Sequence, residues 1–350
     1  MLFRVALSLA VLAAASMTDA GVGTISRLRG DEPVAAAKTI RAGMIGLDTS
    51  HCVAFTRLFN DPQATGDVAA VQVVAAYPGG SDDIPDSRNR VEGFTNQMRD
   101  AGVEIVDSID ALLAKVDVVL LESVDGRPHL DQARPVIAAG KPLFIDKPLA
   151  GSLADAIAIY RLAEKQKVPV FSSSSLRFSS GIAALKSDPR VGDVVGCVVH
   201  SPCSVEPHHP DLFWYGVHGV EMVYTIMGEG CQTVVRTQTD GTDVATGVWR
   251  DGRVATYRGM RQGKADYGGV VYGTKGIVPV GKYEGYAPLC QEIATFFRTH
   301  EPPVAASETL ELFAFMEAAD ESKRQGGKPV AIAEVMAKAE AEAAQKITTP

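Results

Sequence analysis

The stretch Gly140-Lys-Pro-Leu-Phe-Ile-Asp-Lys-Pro-Leu-Ala-Gly-Ser-Leu-Ala-Asp155 decides how the rest of the chain is read. Residues 143–145 form a short apolar run of the kind a fully buried strand needs, and residues 153–166 carry helical spacing. Between them, Pro148 pushes Lys147 toward extended backbone and so fixes where its ammonium leaves the strand's carboxyl end. In an open α/β sheet that end is where ligands bind. Lys147 is therefore the first candidate for a catalytic side chain.

Outward from this stretch, apolar runs alternate with helical patterns from residue 40 to residue 174. Strands are expected at 42–47, 71–77, 103–106, 116–121, 143–145 and 168–172, with helices near 50–60, 87–101, 109–114, 131–139 and 153–166. That alternation is the signature of a Rossmann-like, doubly wound parallel sheet. Beyond residue 175 the rhythm changes to longer β runs at 193–200, 233–239, 243–249, 253–258 and 268–273, joined by Gly/Asp turns. Helices near 216–227, 287–299 and 308–325 would cover one face of a mainly antiparallel sheet, which makes the second domain α+β. The expected division is 40–174 for the first domain and 175–350 for the second. An Ala/Glu/Lys-rich tail, 331–346, reads as a solvated helix.

The 350 residues are 46% hydrophobic and 22% charged, enough to bury a sizeable core. A net charge of −8 without a long basic run argues against nucleic acid or an anionic membrane as partner and leaves small molecules. Cys52, Cys197, Cys203, Cys231 and Cys290 are odd in number and lack CxxC spacing, so neither a disulfide framework nor a zinc site is expected. His208, His209 and Asp211 lack the spacing of a metal centre, and no metal is assigned. Arg4, the apolar run 5–15 and small residues near Ala20 read as a secretory signal peptide over 1–20, with a polar leader over 21–39. Export to a periplasm or beyond is the expectation.

Asp146-Lys147-Pro148 resembles the Glu-Lys-Pro segment of the Gfo/Idh/MocA family of glucose-fructose oxidoreductases and inositol dehydrogenases, and other pieces follow in the family's order. The resemblance implies NAD or NADP as cofactor and hydride transfer to or from a secondary alcohol of a sugar, cyclitol or keto-sugar. Its Gly-x-Gly-x-x-Gly loop aligns with Gly46-Leu-Asp-Thr-Ser-His51, which keeps only the first glycine. A carboxylate at Asp48 facing a phosphate costs roughly 4 kcal/mol at about 4 Å with an effective dielectric near 20. Either Asp48, Thr49 and Ser50 cap the helix themselves, or Asp48 turns aside and Thr49 and Ser50 still hold the pyrophosphate. On the nucleotide side the resemblance also places His51, Ser123, His129 and Asp146.

In the second domain, Trp214-Tyr-Gly-Val-His218-Gly-Val-Glu221 is similar to the family's Asp-x-Gly-x-His pattern, with Trp214 in the aspartate's place. His218 would be the base that takes a hydroxyl proton, Lys147 would stabilise the alkoxide, and Glu221, three residues along the helix, would orient the imidazole. Arg177, His209, Trp214 and Tyr215 are the expected substrate contacts. Two rival readings stand beside hydride transfer: acid/base elimination or hydration on a keto-sugar by the same Lys147 and His218, and an exported carbohydrate-binding protein that has lost its chemistry. A homo-oligomer is implied by the resemblance alone.

Overall fold

A computed structural model of the protein describes residues 39–348. The expected signal peptide and almost all of the leader lie outside the described residues. Six strands, β1 (Ile40–Ile45), β2 (Val71–Tyr77), β3 (Glu104–Ile105), β4 (Val118–Leu121), β5 (Leu143–Asp146) and β6 (Val170–Ser173), form a parallel sheet in the order β3-β2-β1-β4-β5-β6. Helices α1 (Ser50–Phe59), α2 (Pro85–Arg88), α3 (Val91–Asp100), α4 (Ile109–Leu113), α5 (His129–Ala138) and α6 (Leu153–Gln166) connect them. Every residue of β4 and β5 is buried, because helices cover both faces of the sheet. The strand order reverses between β1 and β4, which opens a crevice at their carboxyl ends.

The chain then passes through α7 (Ser180–Ala183) into a seven-stranded sheet ordered β12-β11-β7-β10-β9-β8-β13. Its strands are β7 (Val194–Pro202), β8 (Cys231–Thr239), β9 (Thr242–Trp249), β10 (Val254–Met260), β11 (Gly268–Gly273), β12 (Ile277–Pro279) and β13 (Val330–Ala331). Only β7 and β10 pair in parallel. Helices α8 (Val217–Met227) and α10 (Ala306–Arg324) pack on one face of it. The turn before α8, Leu212–Gly216, is π-helical, a local widening often found beside functional sites.

Two late helices fold back on the first sheet. α9 (Ala287–Thr299) brings Phe296 edge-on to Phe171 of β6, ring centroids 4.8 Å apart. α11 (Ile332–Thr348) is not the solvated helix expected from its composition. Ile332, Val335, Ala339 and Ala343 are buried, the helix lies along α6, and Lys346 Nζ meets Asp155 at 2.6 Å. Small alanines on one side let the two helices approach, while glutamate and lysine fill the other side.

Beneath α10 sits a buried ionic cluster. The Arg236 side chain is fully enclosed; its Nε donates to Asp243 at 2.8 Å, one terminal nitrogen to Asp211 at 2.9 Å and the other to Asp320. Burial pushes the Asp320 carboxyl up to about 7 against the pull of Arg236.

Candidate active site

The crevice begins where β1 turns into α1. Gly46 has φ +90°, a conformation that L side chains rarely adopt, and a Cβ there would lie 2.3 Å from Ser123 N. Its N–H donates to Tyr77 O at 3.0 Å, and that of Leu47 to Pro78 O at 2.7 Å, so the end of β2 is stitched to the turn. Asp48 turns aside from the helix N-terminus. One carboxylate oxygen accepts from Ser87 Oγ at 2.6 Å and the other from Val124 N at 2.9 Å. Burial raises its pKa, and those two hydrogen bonds oppose the rise. Thr49 caps α1 through its hydroxyl, which accepts from His51 N at 3.4 Å, and Ser50 is exposed.

Below this turn the carboxyl ends of β4 and β5 bring four buried polar groups together. His51 Nδ1 and Asp146 Oδ2 are 2.7 Å apart, and Lys147 Nζ is 4.0 Å from the same oxygen. Glu122, at the end of β4, is fully buried. Its pKa is raised well above the usual carboxylate range by burial and by Asp146, with Lys147 pulling the other way. The Lys147–Pro148 peptide is cis.

His218 faces this group from α8. Its Nδ1 is 2.8 Å from Ser174 Oγ, which leaves Nε2 for a ligand. Burial, and then the charge of Lys147, lower its pKa well below 6.5, so the imidazole is neutral at pH 7. Tyr215 and Tyr267 stand edge-on to its ring at centroid distances of 4.9 and 5.9 Å, and Tyr283 and Tyr286 continue the wall as far as His51. Half-buried phenols of this kind offer ring faces and hydroxyls to a polyhydroxylated ligand. The arrangement supplies a neutral base, a fixed cation and an aromatic wall.

Several residues expected on the site serve elsewhere. Glu221 does not orient His218: it accepts from Ser173 Oγ at 3.1 Å and pairs with Arg177, and Ser174 holds the histidine instead. Arg177, expected to contact substrate, pairs through Nε with Glu221 and through one terminal nitrogen with Glu308, and its other terminal nitrogen has no partner. His129, expected on the nucleotide side, is fully buried with Nε2 2.9 Å from Ser123 O and Nδ1 3.2 Å from Leu149 O. It braces two loops and has no nitrogen to spare. Ser123 Oγ is bonded to Gln132 at 3.0 Å. His209 has an enclosed side chain 3.9 Å from Asp125 and packs on Trp214, with centroids 5.4 Å apart. Burial lowers its pKa to about 4. His209 and Trp214 are both buried, and His209 Nε2 has no hydrogen-bond partner. Asp211 pairs with Arg236 and Lys323, and His208 with Glu206.

Sequence reasoning missed Glu122, Ser174, Tyr267, Tyr283 and Tyr286. A glutamate at the end of an otherwise apolar parallel strand was the one available signal, since that position meets the ligand crevice.

Residues 40–174 match the family model described as "Oxidoreductase family, NAD-binding Rossmann fold". Among solved structures, a putative myo-inositol dehydrogenase from Sinorhizobium meliloti 1021 is similar at a TM-score of 0.69 and 18% identity, covering 84% of this chain and 100% of that one. The scyllo-inositol dehydrogenase from Lactobacillus casei, solved with NAD(H) and scyllo-inositol, gives 0.69 at 15% identity, over 85% and 100% of the two chains. An oxidoreductase from Agrobacterium radiobacter in complex with NAD+, L-tartaric acid and magnesium gives 0.66 at 16%, over 85% and 99%. At these identities the likeness is one of fold.

Proposed function

We propose that this chain, whose residues 40–174 match the model of an NAD-binding oxidoreductase family, is a Gfo/Idh/MocA-type oxidoreductase that interconverts a secondary alcohol and a ketone on a cyclic polyol or sugar. Lys147 and His218 act at the reacting carbon. The observation that carries this reading is a buried histidine kept neutral by burial and by the neighbouring Lys147 charge, inside a wall of phenols.

The crevice is compatible with a dinucleotide. Gly46 and Gly79, both at positive φ, pack against each other and keep the backbone low, and the Asp48 carboxylate is turned into the fold. Thr49 and Ser50, at the start of α1, would hold the pyrophosphate through main-chain N–H groups and hydroxyls. A nicotinamide dinucleotide bound there supplies the hydride acceptor or donor. In oxidation, His218 Nε2 takes the hydroxyl proton while the Lys147 ammonium stabilises the oxygen as its negative charge grows. In reduction, the same ammonium polarises the carbonyl and the imidazolium returns the proton.

The test is a panel of cyclitols and sugars assayed for reduced-nicotinamide absorbance, followed by a pH profile on whichever is turned over. Because the folded-state pKa of His218 is depressed, the base stays active as pH falls through 6.5, and the acid limb of kcat/KM for oxidation lies below that value. His218→Gln should remove the limb and slow the reaction about 10²- to 10⁴-fold. An acid limb at or above 7 that survives His218→Gln would overturn the assignment.

A second reading, acid/base chemistry on a keto-sugar without nucleotide, draws on one observation. Asp48–Ser87, Ser81–Asp125 and the paired Arg127–Asp83 contacts, at 2.6 to 2.8 Å, lace the loops after β1, β2 and β4 together over the crevice. We also propose self-association through the second sheet, whose Val198, Val248, Val254 and Tyr272 are exposed.

A further inference from the structure

Glu122 is fully buried, and neither of its carboxylate oxygens has a hydrogen-bond partner. On the neighbouring strand Asp146 leaves Oδ1 unpartnered as well, while its Oδ2 meets His51 Nδ1 at 2.7 Å. One ligand atom from each of His51, Glu122 and Asp146 lies within 4.8 Å of the other two, and all three residues are buried. An ionised carboxylate without a donor in a dry site is strongly penalised. Protonating Glu122 would not satisfy the group in full, because no donor reaches either of its oxygens.

We propose that His51, Glu122 and Asp146 bind one divalent transition-metal ion, of the manganese, iron(II) or zinc class, beside Lys147. An imidazole and two carboxylates form the mixed nitrogen and oxygen set that such ions take, rather than the all-oxygen shell of calcium. Ligands held about 2.1 Å from one ion lie at most about 4.2 Å apart, so small side-chain rotations close the set. The His51–Asp146 hydrogen bond is then exchanged for shared coordination. Three protein ligands leave positions open, as in sites where the ion takes part in chemistry. Charge points the same way: two carboxylates and Lys147 leave one net negative charge, and a divalent ion turns this into one net positive charge. The open positions then favour an anionic oxygen, which fits a vicinal diol or hydroxy-ketone ionised on one oxygen. The site requires no nucleotide and stands apart from the hydride-transfer reading.

The experiment is metal titration of the full-length chain after chelator treatment and dialysis, with MnCl2 and ZnCl2 followed by calorimetry and bound metal counted by elemental analysis. One ion per chain is expected, with a rise in Tm on loading. Glu122→Gln, nearly the same shape, should weaken binding at least about 100-fold, since losing a direct ligand costs no less than losing a group that only orients one. Asp146→Asn is the second variant, should Glu122→Gln fail to fold. His208→Ala, which alters an exposed histidine outside the cluster, should bind as the wild type does. No stoichiometric binding, or binding that survives Glu122→Gln and Asp146→Asn, would overturn the site. Loss in His208→Ala instead would assign the metal to the surface and overturn it equally.

Discussion

Replacing Lys147 by methionine is expected to lower kcat by about 10²- to 10³-fold, the loss seen when one preorganised donor is taken from a developing oxyanion. Methionine keeps the length and apolar stem of the side chain, so packing is preserved and the missing element is the charge. Lys147 is only 7% exposed, and its ammonium sits 4.0 Å from Asp146 beside the buried Glu122. Its charge is therefore screened little by solvent and acts at full strength on an oxygen bound in the crevice. Lys147→Arg should not restore the rate, because the planar fork is bulkier and aims its donors differently. Steady-state kinetics on the substrate found in the panel, with circular dichroism as the folding control, check this. A kcat within tenfold of the wild type in a folded Lys147→Met protein would remove Lys147 from the chemistry.

The largest effect on stability is expected at Arg236. Arg236→Met should cost about 3 to 5 kcal/mol, the penalty for stranding buried charges by removing their partner. Asp211, Asp243 and Asp320 all converge on that guanidinium; Asp211 keeps Lys323 and Asp243 keeps Arg261, while Asp320 forms no other ion pair among the described residues and feels only the smaller pull of Arg324. The penalty should shrink with acid. Asp320 already titrates near 7 because of burial, and without Arg236 its pKa climbs further, so lowering the pH neutralises the stranded carboxylate. Urea unfolding at pH 8 and pH 5.5 would show a larger difference between variant and wild type at the higher pH. A difference under about 1 kcal/mol at pH 8 would mean that the cluster relaxes or hydrates when the arginine goes.

How much of this was legible depends on how local each cause is. β4, β5 and β6 were readable because burial on both faces forces continuous apolar runs, and β2 and β11 were bounded to the residue. β12 and β13, of three and two residues, were missed, whereas the equally short β3 was found because Val103 and Val106 extend its apolar run. Helix 87–101 was read as one piece, but Ser87 is drawn to Asp48 and to Ser81 N, and α2 ends at Arg88 before α3 begins. Lys147 could be placed because a strand, a proline and a helix fix it within ten residues. The partner of His218 could not, because helical spacing favours Glu221, whereas the fold brings Ser174, at the end of β6, against the ring. The same limit hid the tyrosine wall, which loops of the second domain deliver from residues 215, 267, 283 and 286. For Asp48 the sequence left two outcomes, and tertiary contacts from Ser87 and Val124 select the one that spares the helix N-terminus.

The most direct measurement is a fluorescence titration of the full-length chain with NAD(H) and NADP(H), run beside Gly46→Ala and checked by mass spectrometry for nucleotide released on denaturation. One dinucleotide per chain is expected in the wild type and none in Gly46→Ala, whose Cβ would collide with the main chain at Ser123. A wild-type protein that folds, releases no nucleotide and shows no saturable binding of either cofactor would contradict hydride transfer and leave Lys147 and His218 to acid/base chemistry.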